Sequence, residues 1–343
     1  MQGYLLYRKE GHTAIVLIAE DDDELHYVLS KRNDYMSKLS WLTGRRPKPE
    51  VLPTPSFGLN RALNGGLHSG RIHVYWGIKA SGKTTAALYQ IAAAQRQGKI
   101  CGYIDAEKSY NEEWAERCGV DVDKLLLIDK NIAEDLAELV CPALEKGEID
   151  LLVVDSLSSL GLRSYLEKPE QNAIGSYARA SKFFTHKVLN SLQYDQQVIF
   201  ISHAAIDMSG QYPVLKAAIG NAIDHWASTI VKFQLRAGNS NLREDGARRV
   251  SWRIDKSKTS PYPIEGEYWF KQYDASIDYI SEIADYSILE EIVARKGAWY
   301  NYGDRKWQGQ TAFVASLQEE PDLLKEMEYA LMTRGVKVVE DDE

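Results

Sequence analysis

No stretch of the 343 residues approaches the roughly 18 consecutive apolar residues that a membrane-spanning helix needs. The opening residues Met1 to Lys9 lack the charged-then-apolar layout of a secretion signal, so a cytoplasmic protein with no membrane partner is expected. Cysteine is scarce. Cys101, Cys118 and Cys141 are odd in number and show no metal-type pairing, and they read as buried, reduced thiols. An excess of positive charge is also missing. With 41 basic and 49 acidic side chains the net charge is −8, which excludes a passive polycation that coats nucleic acid by bulk attraction. Any hold on nucleic acid has to come from local basic and polar loops. Neither an internal repeat nor a low-complexity segment is present. What remains is an ordinary composition, 44% hydrophobic and 26% charged, enough for one large α/β domain with one or two small attachments.

Texture divides the chain into zones. In residues 1–50, Tyr4–Tyr7 and Thr13–Ala19 flank Lys9-Glu10-Gly11, which predicts two short strands in a hairpin. Asp22–Leu42 follows, with Leu25, Val28, Leu29, Met36 and Leu39 at mostly helical spacing. Arg45–Pro49 and Pro53-Thr54-Pro55 then break regular structure and mark a linker. In residues 51–273, short β-rich runs at Arg71–Trp76, Ile100–Ile104, Leu151–Asp155 and Val198–Ile201 alternate with helical patterns. Several are apolar on both faces, as strands of a mostly parallel twisted sheet covered by helices on both sides should be. Residues 274–335 read as a helix, a Gly-Ala-Trp-Tyr turn region and another helix, a small C-terminal domain. Residues 336–343 end in the acidic run Glu340–Glu343.

Gly77-Ile78-Lys79-Ala80-Ser81-Gly82-Lys83-Thr84 fits the phosphate-binding pattern G-x-x-x-x-G-K-[ST]. Its glycines let successive backbone N–H groups wrap a phosphate, Lys83 reaches the β- and γ-phosphates, and Thr84 holds Mg2+. The context agrees, because the strand Ile72–Trp76 precedes the loop and the helical run Thr84–Ala94 follows it. Phosphates would therefore meet a helix N-terminus. The expected ligands are ATP and Mg2+. Asp155, ending an apolar strand, supplies the second carboxylate for the metal's water shell. Hydrolysis also needs a group that orients the attacking water. Tyr103-Ile104-Asp105-Ala106-Glu107 offers Asp105 and Glu107, which strand alternation points in the same direction, and chemistry alone leaves the choice open.

Taken together, Gly77–Thr85, Tyr103–Glu107, Cys118–Leu125, Val153–Ser156, Gly220-Asn221-Ala222 and Lys296–Tyr300 resemble the bacterial RecA recombinases and their phage-encoded relatives. The similarity runs from about Pro55 to Arg334. It implies a RecA-type ATPase core with an N-terminal assembly segment and a small C-terminal α/β domain. It also implies that Glu107 is the carboxylate that activates water, with Asp105 in support. Thr85 extends the nucleotide loop, and Asn111 and Trp114 fall where the family contacts and stacks on adenine. His203 stands where bacterial members carry a glutamine that senses the γ-phosphate, and phage members resemble this chain in using histidine. Lys256 and Lys258 match two lysines that the family inserts into the neighbouring subunit's ATP site, acting in trans like an arginine finger.

Two loops flank His203. By the same resemblance, Gly161–Gly175 with Arg163 and Lys168, and Ala204–Gly220 with Tyr212 and Lys216, hold single-stranded DNA. Arg179, Gly220 and Asn221 are placed beside them. The second loop carries little positive charge, and Ile219 stands where the family often has glycine. In the C-terminal zone Arg295, Lys296, Arg305 and Lys306 surround Trp299 and Tyr300, where Lys296 is expected on double-stranded DNA and Trp299 in the core. The N-terminal hairpin departs from the lone docking helix of bacterial members. The implied function is a DNA-dependent ATPase that forms a helical homo-oligomer on single-stranded DNA and exchanges strands. It would be nucleoid-associated when active, with a single-strand-binding protein and loading mediators as further partners. The alternatives are a DNA-coating or regulatory ATPase without exchange, and a ring-forming helicase-type motor.

Overall fold

The computed structural model describes residues 4–9, 12–17, 48–164, 175–207, 212–238 and 241–334. The expected helix at Asp22–Leu42, the acidic tail, and residues 165–174 and 208–211 of the two loops lie outside them. Two compact units divide the chain, Met1–Lys48 and Pro49–Glu343. In the first, β1 (Tyr4–Lys9) pairs antiparallel with β2 (His12–Leu17), so a hairpin stands there as the sequence predicts.

The second unit opens with a small ribbon of β3 (Val51–Leu52) and β4 (Leu67–His68), joined through α1 (Phe57–Ala62). Its main sheet is built on parallel strands β5 (Arg71–Gly77), β6 (Cys101–Asp105), β7 (Leu125–Ile128), β8 (Leu151–Asp155) and β9 (Gln197–Asp207). Strand β10 (Val214–Ala217) pairs back on β9, and β11 (Thr229–Leu235), β12 (Arg248–Ser257), β13 (Ile264–Lys271) and β14 (Ser276–Ile277) extend the other side. The order is β14-β13-β12-β11-β5-β9-β8-β6-β7, parallel from β11 to β7 and antiparallel from β11 to β14.

Period-two alternation sends each central strand's side chains to two separate cores. On one face Tyr75, Tyr103, Val153 and Ile199 pack on α2 (Lys83–Arg96) through Ala87, Leu88 and Ile91. On the other, Val74, Ile104, Val154 and Phe200 pack on α4 (Ala133–Glu145) through Leu136 and Val140, and on α5 (Ser176–Ser191) through Ala180 and Phe184. A short α3 (Glu112–Arg117) follows β6, and α6 (Gly220–Trp226) precedes β11. All three cysteines are buried and free. Among the described residues no helix is long and apolar enough to cross a membrane.

The C-terminal zone holds more strand than its sequence pattern suggests. Helix α7 (Tyr279–Leu289) leads into a three-stranded antiparallel sheet of β15 (Ala294–Lys296), β16 (Trp299–Tyr302) and β17 (Arg305–Gln308), followed by α8 (Gln310–Glu319) and α9 (Pro321–Thr333). Trp299, expected in the core, is 47% exposed, whereas Tyr300 is 6% exposed and sits in it with Trp307, Phe313 and Met327. Neighbouring residues on a strand face opposite sides, so only one of the two aromatics can be inward.

Glu282 of α7 ties this zone to the core. Its buried carboxylate accepts from Ser56 Oγ (2.6 Å), Phe57 N (2.9 Å) and Gly58 N (3.0 Å) at the start of α1. Burial pushes its carboxyl up to about 7, against the donors that favour the ionised form. A carboxyl raised on folding binds more protons folded than unfolded between its ordinary pKa and about 7. Its contribution is therefore complete at acid pH, falls by about 3 kcal/mol as pH rises through that window, and is flat above it. Urea midpoints from pH 4.5 to 7.5 are expected to lose this slope in Glu282→Gln; an unchanged slope would place the titration elsewhere.

Candidate nucleotide and DNA site

Strands β5, β6, β8 and β9 run parallel, and Gly77, Asp105, Glu107, Asp155 and His203 collect at or beside their carboxyl edge. Register puts Gly77 of β5 directly across from His203 of β9, and Asp105 of β6 across from Asp155 of β8. This carboxyl edge is where open α/β sheets place ligand groups.

The loop from β5 to α2 needs its glycines. Gly77 has φ +157°, and a Cβ there would stand 2.2 Å from Phe233 O and 2.6 Å from Ser81 Oγ. Gly82 is left-handed at φ +94° and caps α2 with no side-chain bond, so the first-turn N–H groups are open to an anion. Ile78, Lys79 and Ala80 form the exposed lip, and Ala80 also has positive φ (58°). Lys83 is buried beneath them, its Nζ donating to Ile78 O (2.8 Å). Burial pulls its ammonium below the usual lysine value, opposed by Asp155 and Glu107.

Thr84 Oγ1 donates to Asp155 Oδ2 at 2.6 Å, and the buried Tyr103 hydroxyl donates to the same oxygen at 2.8 Å. Burial pushes the Asp155 carboxyl up, against these two bonds. A hydroxyl beside a carboxylate is the oxygen donor set that a hard divalent cation such as Mg2+ takes.

Asp105 and Glu107 do not share a direction. Strand β6 ends at Asp105, so alternation stops applying there. Asp105 is buried and closes the following turn by accepting from Ser109 N (3.0 Å) and Tyr110 N (2.9 Å). Glu107 instead reaches His203, whose Nε2 lies 2.6 Å from Glu107 Oε1. Ser159 Oγ donates to that same oxygen at 3.1 Å. Burial pushes the Glu107 carboxyl up, but hydrogen bonds from Ser156, His203 and Ser159 outweigh it and hold the group below the usual range. No sequence pattern assigns Tyr103, Ser156 or Ser159 a role. Ser156 and Ser159 stand in a polar run after the apolar strand Leu151–Asp155, and Tyr103 lies inside the strand Cys101–Asp105.

Asn111 caps α3 by accepting from Trp114 N (2.8 Å), and Trp114 Nε1 donates to Thr85 Oγ1 (3.2 Å). The half-buried indole also packs edge-on to Phe270 and under Arg117. Lys256 Nζ donates to Asp224 O and Lys258 Nζ to His225 O (2.9 Å). Both ammonium groups thus sit on the carbonyl end of α6, a favourable place for cations.

The two loops differ in form. The second is no simple loop: β9 runs on past His203 to Asp207, and Val214–Ala217 returns beside it, Lys216 opposite Ala205. Ile206, Tyr212, Val214 and Leu215 are exposed on this arm, as is Lys216. Gly220 (φ +68°) and Asn221 begin α6, exposed. At the root of the first loop, Arg163 is held by α4: Nε donates to Asp135 Oδ1 (2.6 Å) and Nη2 to Glu138 Oε2 (2.9 Å). Arg179 is exposed on the first turn of α5, and Lys296 is exposed on β15, remote in sequence from the nucleotide loop.

A phosphate loop, a buried strand-end aspartate and a second carboxylate paired with histidine, all at one sheet edge, define a P-loop nucleotide-binding protein. Comparisons narrow this class. A family model described as RecA N-terminal domain matches residues 34–277, and one described as RecA C-terminal domain matches 281–334. "Protein RecA" of Sinorhizobium fredii is 32% identical over 288 residues, 82% of this chain and 79% of that protein. The proteins of the same name from Sulfurovum sp. and Wolinella succinogenes are each 32% identical, over 288 and 293 residues, covering 81% and 83% of this chain and 82% and 83% of theirs. The chain belongs to the RecA family of recombinases.

Proposed function

We propose that this protein is an ATP-dependent DNA recombinase that assembles as a helical filament on single-stranded DNA, pairs it with homologous duplex and hydrolyses ATP when DNA is bound. The observation that carries the reading is the continuity of β9. His203 touches Glu107 at the nucleotide edge, and from the next residue, Ala204, to Asp207 the same strand forms the exposed arm with β10. A strand is stiff along its length, so nucleotide state and arm position are coupled. The arm, with Tyr212 and Lys216, then holds the bases and phosphates of single-stranded DNA with Arg179, Gly220 and Asn221. Arg163 joins them only by leaving Asp135 and Glu138. Lys296 meets the duplex.

In the nucleotide site the loop from Gly77 to Thr85 wraps the phosphates, Lys83 neutralises their charge, and Asn111 and Trp114 face the base. Thr84 and Asp155 would hold Mg2+, which would supply charge neutralisation on the transferring phosphoryl group. Glu107 orients and deprotonates the attacking water, and His203 reports the γ-phosphate to the arm. Lys256 and Lys258 of an adjacent copy complete the site. The protein acts in the cytoplasm, on the nucleoid.

A site completed by its neighbour hydrolyses ATP well only when assembled. Turnover per subunit is expected to rise steeply with single-stranded DNA and with protein concentration; a rate independent of both would sink the reading. The sparse positive charge of the arm favours one competing reading, a filament that coats DNA without exchange. Joint-molecule formation with matched but not unmatched duplex separates the two.

A further inference from the structure

His203 at the root of the second loop is not the sole contact that Glu107 makes with a DNA loop. Ser159 Oγ donates to Glu107 Oε1 at 3.1 Å, the oxygen that His203 Nε2 approaches to 2.6 Å. Ser159 closes the single turn Leu157–Ser159, two residues before the first loop begins at Gly161. Its hydroxyl is itself held by Ser156 Oγ at 2.9 Å, which is also 3.0 Å from Ser158 Oγ. A chain of small hydroxyls therefore runs from the end of β8 to the carboxylate.

The outgoing end of the first loop is fastened to the start of α4, and its returning end to this turn. On the outgoing side, Gly161 N donates to Asn131 O (2.8 Å) and Gly161 O accepts from Ala133 N (2.9 Å), and Arg163 is clamped by Asp135 and Glu138 of α4. On the returning side, Ser181 Oγ of α5 donates to Leu157 O at 2.7 Å. Ser181 lies one half-turn beyond Arg179 on α5. A shift of the returning end thus reaches the turn through the Ser181–Leu157 hydrogen bond, a shift of the outgoing end reaches it along the two chain links from Gly161, and a shift of Ser159 changes what Glu107 Oε1 can accept.

We propose that Ser159 is a positioning residue for Glu107 and links the first loop to hydrolysis, as His203 links the second. The inference rests on the reading of Glu107 as the water-activating carboxylate. Ser159 and His203 anchor Oε1, and with the further hydrogen bond from Ser156 the carboxylate keeps one orientation toward the attacking water. A hydrogen bond to a charged acceptor is worth more than a neutral one, so its loss misorients the carboxylate without touching the nucleotide loop.

The test is steady-state ATP hydrolysis with and without an oligo-dT strand, in wild type, Ser159→Ala, Ser159→Thr and Glu107→Gln. Ser159→Ala is expected to lower the DNA-stimulated kcat about tenfold with KM for ATP unchanged, and Ser159→Thr, which keeps the hydroxyl, to restore it. Wild-type kcat in Ser159→Ala overturns the inference. So does a loss that raises KM in parallel, lowers Tm and is not restored by threonine, since that is general destabilisation. If Glu107→Gln hydrolyses ATP at the wild-type rate, the reading of Glu107 fails and takes the inference with it. If Glu107→Gln is inactive while Ser159→Ala is normal, the role of Ser159 alone falls.

Discussion

Lys83→Ala is expected to abolish ATP-dependent strand exchange and to lower ATP hydrolysis by about 100-fold or more. Lys83 is the cation buried inside the phosphate loop, its Nζ 2.8 Å from Ile78 O. In the function proposed above its ammonium meets the β- and γ-phosphates, and burial would make its field strong because little water screens it. The glycine geometry of the loop does not depend on the lysine side chain, since Gly77 and Gly82 take their conformations from backbone sterics. The variant should therefore fold with a wild-type Tm and fail in binding and turnover together. Nucleotide affinity by fluorescent-ATP titration, hydrolysis and joint-molecule yield check this. Exchange at the wild-type level in Lys83→Ala would falsify the recombinase mechanism proposed above.

The second large effect separates binding from chemistry. Glu107→Gln is expected to bind ATP within a few-fold of wild type while hydrolysis drops by about 100- to 10,000-fold, the range that a general base contributes. Glu107 contacts none of the phosphate loop directly; its hydrogen bonds go to Ser156, Ser159 and His203. Glutamine preserves length and an acceptor oxygen but cannot take a proton. A filament of this variant would stay locked in its ATP-bound form, so joint molecules should form and DNA should dissociate slowly. Rapid hydrolysis by Glu107→Gln would move the base to another group. Asp105 is a poor substitute, because its two oxygens are occupied by Ser109 N and Tyr110 N.

Much of the architecture was legible because it is written in local pattern. The four short β-rich runs appear as strands β5, β6, β8 and β9, and the run after the phosphate loop as α2. Gly77 and Gly82 belong to a short fixed spacing, which is recognised along the chain without reference to a tertiary partner. Strands β11 to β14, which pair antiparallel with one another, do not stand out in the sequence, since a strand on that side of the sheet shows mixed polarity rather than an apolar run. The C-terminal three-stranded sheet was missed for the same reason, its strands being only three or four residues long.

The sequence by itself determined the phosphate loop, the carboxylate at the end of β8 and the RecA family, because each depends on short spacings or on their order along the chain. It could not choose between Asp105 and Glu107 from chemistry, nor see that Ala204–Gly220 rises as a strand-built arm. Tertiary structure shows where the two carboxylates point and how the arm is built. Sheet register sets Gly77 against His203, 126 residues apart, and the end of β6 turns Glu107 away from Asp105. Hydrogen bonds from Ser159 and His203 then converge on one oxygen. Such convergence is a property of distance in space, and no pattern along a single chain records it.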